Sequence, residues 1–277
     1  MTNQHNIKEI VKQKYSRIAE KADAGRPKTS CCEPSSCGDD LDYTVFSENY
    51  RELKGYDTDA DLGLGCGIPT AFAALKPGDH VLDLGSGAGN DCFVARAVVG
   101  ENGKVTGIDF SDAMLEKARR NALKLGYSNV DFLKGDIEEM PLADNSYDVI
   151  LSNCVLNLVP DKQRAFGEML RVLKPGGHFC VSDVVLTGEL PEKLRHDAEM
   201  YAGCVSGAMQ MQEYLDVIKN AGFSNIQVHK QRKLEIPEEI VRLYMSENEM
   251  AGFTSGNTGL FSITVSASKQ DRALKRK

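Results

Sequence analysis

The chain has 277 residues, 42% of them hydrophobic and 26% charged, with a formal net charge of −7. That length accommodates one α/β domain with a smaller addition. The acidic balance speaks against broad nucleic-acid binding, and no run reaches the ~20 apolar residues of a membrane helix.

The polar start, Met1 to His5, predicts no signal peptide and a cytoplasmic protein, most simply a monomer. The eight cysteines are then expected as reduced, reactive or ligating thiols rather than structural disulfides. Ile7 to Glu20 carries apolar residues at three- and four-residue steps and predicts a helix. A turn-rich segment follows with Cys31, Cys32 and Cys37; no second half with ligand spacing accompanies it, which argues against a zinc knuckle. Tyr43 to Lys54 is polar and read as helical. Gly63 to Pro69 forms a glycine-lined loop around Cys66, and Pro69 opens a short helix.

From His80 onward apolar strands alternate with amphipathic helices. Strands are expected at Val81–Leu84, Val105–Asp109, Val130–Lys134, Tyr147–Ser152 and Gly177–Asp183, and helices near Asp91–Val99, Ala113–Leu125 and Gln163–Val172. This order implies a doubly wound, mostly parallel, Rossmann-like sheet with ligands at the carboxyl ends of its strands. Beyond Asp183 the pattern predicts helices at Pro191–Tyr201, Gln210–Asn220 and Pro237–Met245. Ser224–His229 and Leu260–Ala267 should add an antiparallel edge pair, giving seven strands. Three parts are expected: a helical and loop segment over 1–70, a core over 71–233, and a C-terminal region over 234–277 that completes the sheet.

The first strand stops at Asp83 and turns through Gly85-Ser86-Gly87-Ala88-Gly89 into a helix. Such glycines let a ligand approach the backbone, and the helix start offers unpaired N–H groups. A lone glycine turn is weak evidence, but the second strand ends in Asp109, placed to accept from ribose hydroxyls, and the third in Gly135-Asp136-Ile137. With Leu173-Lys174-Pro175-Gly176-Gly177, these motifs resemble the class I S-adenosylmethionine methyltransferases between Asp79 and Asp183. The resemblance implies S-adenosylmethionine as cofactor, held by Asp83, Gly85, Ser86, Gly87, Gly89, Asp109, Met114, Asp136, Ile137 and Asn153.

A narrower resemblance rests on Gly65-Cys66-Gly67, the run from Asp83 to Cys92, Ser152-Asn153-Cys154-Val155 through Lys162, and Gly203-Cys204 with Gly207-Ala208. These segments look like the arsenite methyltransferases. The resemblance implies that Cys154 and Cys204 hold trivalent arsenic beside the donor. It implies too that Cys66, with Cys31 or Cys32, takes part in arsenic binding and disulfide-linked reduction, Cys37 lying close by.

Trivalent arsenic is soft, so thiolates suit it, and its lone pair can attack a methyl carbon without a general base. A thiol reductant, glutathione or a thioredoxin-like protein, would reset the oxidised pair. Cys92 and Cys180 read as structural, Asn157 and Asp161 as packing or capping residues, and the five histidines show no ligand spacing. Two rivals are a methyltransferase of a quinone- or sterol-like substrate and a non-catalytic metalloid-binding or redox protein. The first would want a general base, the second no donor motif.

Overall fold

The computed structural model describes residues 2–23, 47–188, 207–235 and 259–271, with side chains from residue 7. Cys31, Cys32, Cys37 and Cys204, and the helices expected at 191–201 and 237–245, lie outside the described residues.

Five parallel strands form the centre: β1 (His80–Leu84), β2 (Lys104–Asp109), β3 (Val130–Lys134), β4 (Tyr147–Asn153) and β5 (Leu173–Thr187). They are joined by α2 (Asn90–Val99), α3 (Asp112–Lys124) and α4 (Lys162–Val172), with α1 (Thr2–Asp23) at the start. After β5 come α5 (Met211–Asn220), β6 (Ser224–Lys233) and β7 (Gly259–Ser268). The seven-stranded sheet runs β3-β2-β1-β4-β5-β7-β6, with β7 antiparallel to both neighbours.

Alternation along the strands divides the core between the two sheet faces. Leu82, Leu84 and Ile150 pack on one side with Phe166, Phe179 and Tyr214. Val81, Val149 and Leu151 pack on the other with Phe93, Val105 and Leu115. Burial on both faces is why β1 reads as a near-continuous apolar run. The edge strand β6 instead has no buried residue and carries the exposed Lys230 and Lys233, charges that discourage pairing with another chain.

Several boundaries differ from the sequence reading. β5 extends beyond Gly177–Asp183 because β7 pairs with it as far as Thr187 opposite Gly259. Residues 47–54 are not helical; they form turns, with the Leu53 N–H donating to the Tyr50 carbonyl at 2.9 Å. The helix at Pro69 is a single 3-10 turn, Pro69–Ala71. Side chains cap two of the helices: Ser111 Oγ accepts from the Met114 N–H, and Asp161 from the Arg164 N–H.

α1 lies against the carboxyl ends of the sheet and on α3. Lys8 bridges Asp136 at 2.6 Å and also reaches Glu138, Ser16 meets Ser111 at 3.0 Å, and Asp23 binds Lys117 at 2.7 Å. Among the described residues no helix is long and apolar enough to cross a membrane.

Candidate active site

The cleft lies where β1 sits between β2 and β4, whose crossovers leave in opposite directions. Two adjoining cavities share Val11, Gly85, Asp109, Phe110, Val155 and Leu158, and together form one elongated trough beneath α1. One half runs past Asp83, Ser86, Gly87, Asp91, Met114, Asn153 and Cys154. The other runs past Phe110, Asp136 and Ile137.

The glycine turn is fixed by its backbone. The N–H groups of Gly85 and Ser86 both donate to the Ile108 carbonyl, at 2.8 and 3.1 Å. Gly85 has φ +64°, and a Cβ there would stand 2.5 Å from the Val155 side chain, so only glycine fits. Gly87 also needs positive φ, and its open side meets little more than Met114 Sδ at 3.9 Å. Gly89 does not line the cleft: it caps α2 from behind, where a Cβ would strike Phe93 at 2.7 Å.

Asp109 accepts from the Gly87 N–H at 3.0 Å and the Ser111 N–H at 2.8 Å, one on each oxygen. The Phe110 N–H acts on the same carboxylate, and acceptor capacity is still left for a ligand hydroxyl. Burial raises the Asp109 carboxyl above its ordinary value, against these backbone donors. Asp83 is pushed well up by burial and then by Asp91, and Asp91 is raised to about 6, chiefly by burial. Three buried acids thus share one cleft, and none of the groups acting most strongly on them is basic.

Asp136 does line the trough, but its carboxylate is held by Lys8 from α1. Asn153 lines the cleft as well, yet its side chain is engaged by the Cys66 loop: its Oδ1 accepts from the Cys66 N–H at 3.0 Å.

Four of the cysteines can be placed, all buried and reduced. Cys154 follows β4 and lines the cleft, held by its N–H on the Ser182 carbonyl at 2.8 Å and with φ +61°, unusual for a residue bearing a Cβ. Cys66 sits behind the cleft wall that Leu64 and Gly65 form, and its carbonyl accepts from Ser262 Oγ at 2.7 Å. The Tyr214 hydroxyl donates to Asp183 at 3.0 Å, and burial raises Asp183 to about 7. Cys92 belongs to the core and donates its S–H to Asp83 at 3.2 Å. Cys180 is core as well, its thiol pushed to about 12 by burial. Among the described residues no cluster of three His, Cys, Asp or Glu side chains is arranged to hold a metal ion.

Tyr50, Asp91 and the Asp183–Tyr214 pair are absent from the sequence-based list. Asp91, an acid in the first turn after the glycine loop, gave a signal that could have been used; Tyr50 gave none.

The sheet order, the glycine turn and the strand-end acids define a methyltransferase, and residues 75–239 match the family model described as a methyltransferase domain. An arsenite methyltransferase of Halobacterium salinarum is 40% identical over 80% of this chain and 58% of its own. One from Aquipseudomonas alcaligenes is 32% identical over 92% of this chain and 72% of its own. The crystal structure of an arsenic(III) S-adenosylmethionine methyltransferase from Chlamydomonas reinhardtii superposes with a TM-score of 0.64 at 35% identity, covering 75% of this chain and 68% of that one.

The chain belongs to the arsenite methyltransferase family. It spans a little over half the length of its haloarchaeal relative.

The cleft's chemistry fits the donor of such a family. Ser86 Oγ and Asn90 Oδ1 are buried on its wall with no hydrogen-bond partner among the described residues. Buried polar atoms of this kind call for a ligand. Three uncompensated carboxylates call for a cationic one, and S-adenosylmethionine brings an ammonium, a sulfonium and ribose hydroxyls.

Proposed function

We propose that the protein transfers a methyl group from S-adenosylmethionine to trivalent arsenic held by thiolates of Cys154, Cys66 and Cys204. The observation that carries this reading is the position of Cys154, a buried reduced cysteine on the wall of the same cleft as Asp83 and Asp91.

The bound donor supplies an electrophilic methyl group. Asp109 accepts from the ribose hydroxyls with the lone pairs its backbone contacts leave over, Asp83 and Asp91 face the ammonium, and Ile137 and Phe110 border the half that takes the base. Cys154 holds arsenic on the cleft wall, where its lone pair can meet the methyl carbon. The protein's task is alignment, for which orientation alone can supply ~7–11 kcal/mol. Arsenic's hydroxyls exchange for sulfur, with the thiol protons leaving as water. Methyl transfer oxidises arsenic to the pentavalent state. Two thiolates passing to a disulfide return it to the trivalent state, and a cellular thiol or thioredoxin-like partner reduces that disulfide.

The test is incubation with arsenite, S-adenosylmethionine and glutathione, followed by chromatographic arsenic speciation. Methylated arsenic should appear with the wild-type chain and not with Cys154→Ser. Equal rates from the two would refute the assignment.

A further inference from the structure

The Asn153 amide, at the end of β4, is the meeting point of four separate parts of the chain. Its Nδ2 lies 2.8 Å from the Tyr50 hydroxyl, 2.9 Å from the Gly67 carbonyl and 3.0 Å from Asp91 Oδ2. Its Oδ1 accepts from the N–H groups of Cys66, at 3.0 Å, and Gly67, at 3.3 Å. The Tyr50 hydroxyl lies 2.9 Å from both the Gly67 carbonyl and Asp91 Oδ1. The Cys66 loop is folded tightly around this amide: a Cβ on Gly65 would stand 2.5 Å from Asn153 Nδ2. One side of the network is therefore Asp91, a buried acid of the donor cleft; the other is the backbone on either side of the Cys66 thiol.

We propose that Asn153 is a positioning residue that makes the placement of Cys66 depend on occupancy of the donor site. A donor ammonium beside Asp91 fixes the orientation of that carboxylate, whose hydrogen bonds, made to an ionised acceptor, are stronger than neutral ones. Tyr50 and Asn153 Nδ2 are then held more firmly, and Asn153 Oδ1 passes the restraint to the Cys66 and Gly67 N–H groups. With the site empty the loop is freer and the thiol more open to exchange. The benefit for catalysis rests on the arsenic-ligand reading of Cys66: the thiol is drawn into register when a methyl donor is present. Such coupling acts in both directions, so filling Cys66 should also tighten donor binding.

The experiment needs no arsenic. Alkylation of each cysteine by iodoacetamide is followed by peptide mass spectrometry, with and without saturating S-adenosylhomocysteine, which keeps the ammonium. In the wild-type chain the ligand should slow labelling of Cys66 by at least about fivefold, the lower end of typical coupling, while Cys180 stays unchanged. In Asn153→Ala, under calorimetrically verified S-adenosylhomocysteine saturation, the protection of Cys66 should fall towards onefold. Tyr50→Phe removes one hydroxyl only and should show an intermediate ratio, so the proposal remains testable if Asn153→Ala does not fold. No protection in the wild type, or equal protection in wild type and variants, overturns the proposal. Arsenite turnover is scored separately: a wild-type chain that shows the protection yet methylates no arsenic refutes the functional reading and leaves the coupling standing.

Discussion

Asp91→Asn should make the empty protein more stable and a poorer binder of the donor. The substitution preserves shape, and its hydrogen bonds can be re-formed. The introduced amide oxygen can accept from Asn153 Nδ2, and its NH2 can donate to the Tyr50 hydroxyl, whose proton turns to the Gly67 carbonyl 2.9 Å away. What is lost is a buried charge. Folding raises the Asp91 carboxyl from an ordinary value of ~3.9 to about 6, a shift worth about 3 kcal/mol against the folded state at pH 8. The sign follows from that direction: the penalty is complete above the folded pKa and vanishes as pH falls towards the unfolded one. Asp91→Asn should therefore raise Tm by about 5 °C at pH 8, with the gain shrinking between pH 7 and pH 4. Donor binding runs the other way. Loss of a charge-assisted hydrogen bond to the ammonium costs ~1.5–3 kcal/mol, weakening affinity about 10- to 150-fold at pH 8. Wild-type affinity should itself decline below about pH 6 as Asp91 protonates. Calorimetric titration with S-adenosylhomocysteine and thermal unfolding followed by circular dichroism give both quantities. A variant that binds the ligand as tightly as wild type, or that is less stable at pH 8, refutes the reasoning.

Asp109→Ala removes the acceptor assigned to both ribose hydroxyls; at ~1–3 kcal/mol, donor affinity should drop by one to two orders of magnitude in the same titration. Cys154→Ser and Cys204→Ser should fail on both arsenite and a trivalent monomethyl arsenical, whereas Cys66→Ser should cripple the first reaction and spare much of the second, as read by speciation. Tyr214→Phe takes the donor from Asp183, which burial raises to about 7. Urea unfolding should show a loss of ~1–3 kcal/mol at pH 8, where Asp183 is ionised, and a smaller one at pH 6; equal losses would show that Asp183 does not titrate in this range.

The first five strands and the three helices between them are legible because both ends of each element carry a chemical mark. Gly85 to Gly89 can only be a turn, Ser111 and Asp161 cap helices, and the apolar runs of β1 and β4 match burial on two faces. The acids at strand ends, Asp83 and Asp109, are legible for the same reason. The stretch at 47–54 has no period to read, and its turn structure is imposed by tertiary contacts. Tyr50 illustrates this: its hydroxyl is buried against Asn153, 103 residues away. The Asp183–Tyr214 pair spans 31 residues and likewise leaves no local trace. Sequence also assigns Asn153 to the donor and Cys66 to arsenic as separate tasks, since nothing in their spacing reveals that one amide holds the other residue's backbone.

The left-handed turn at Cys154 bears on how this position can drift over evolutionary time. A side chain at φ +61° costs roughly 1 kcal/mol that glycine would not. Selection for stability alone therefore pulls position 154 towards glycine or asparagine, and only selection for the sulfur opposes it. Lineages released from the chemistry should lose this cysteine early, while Cys180, a well-packed core residue in an ordinary strand, outlasts it. The order in which the two disappear among decaying copies of the sequence would be a record of what the thiol at 154 was kept for.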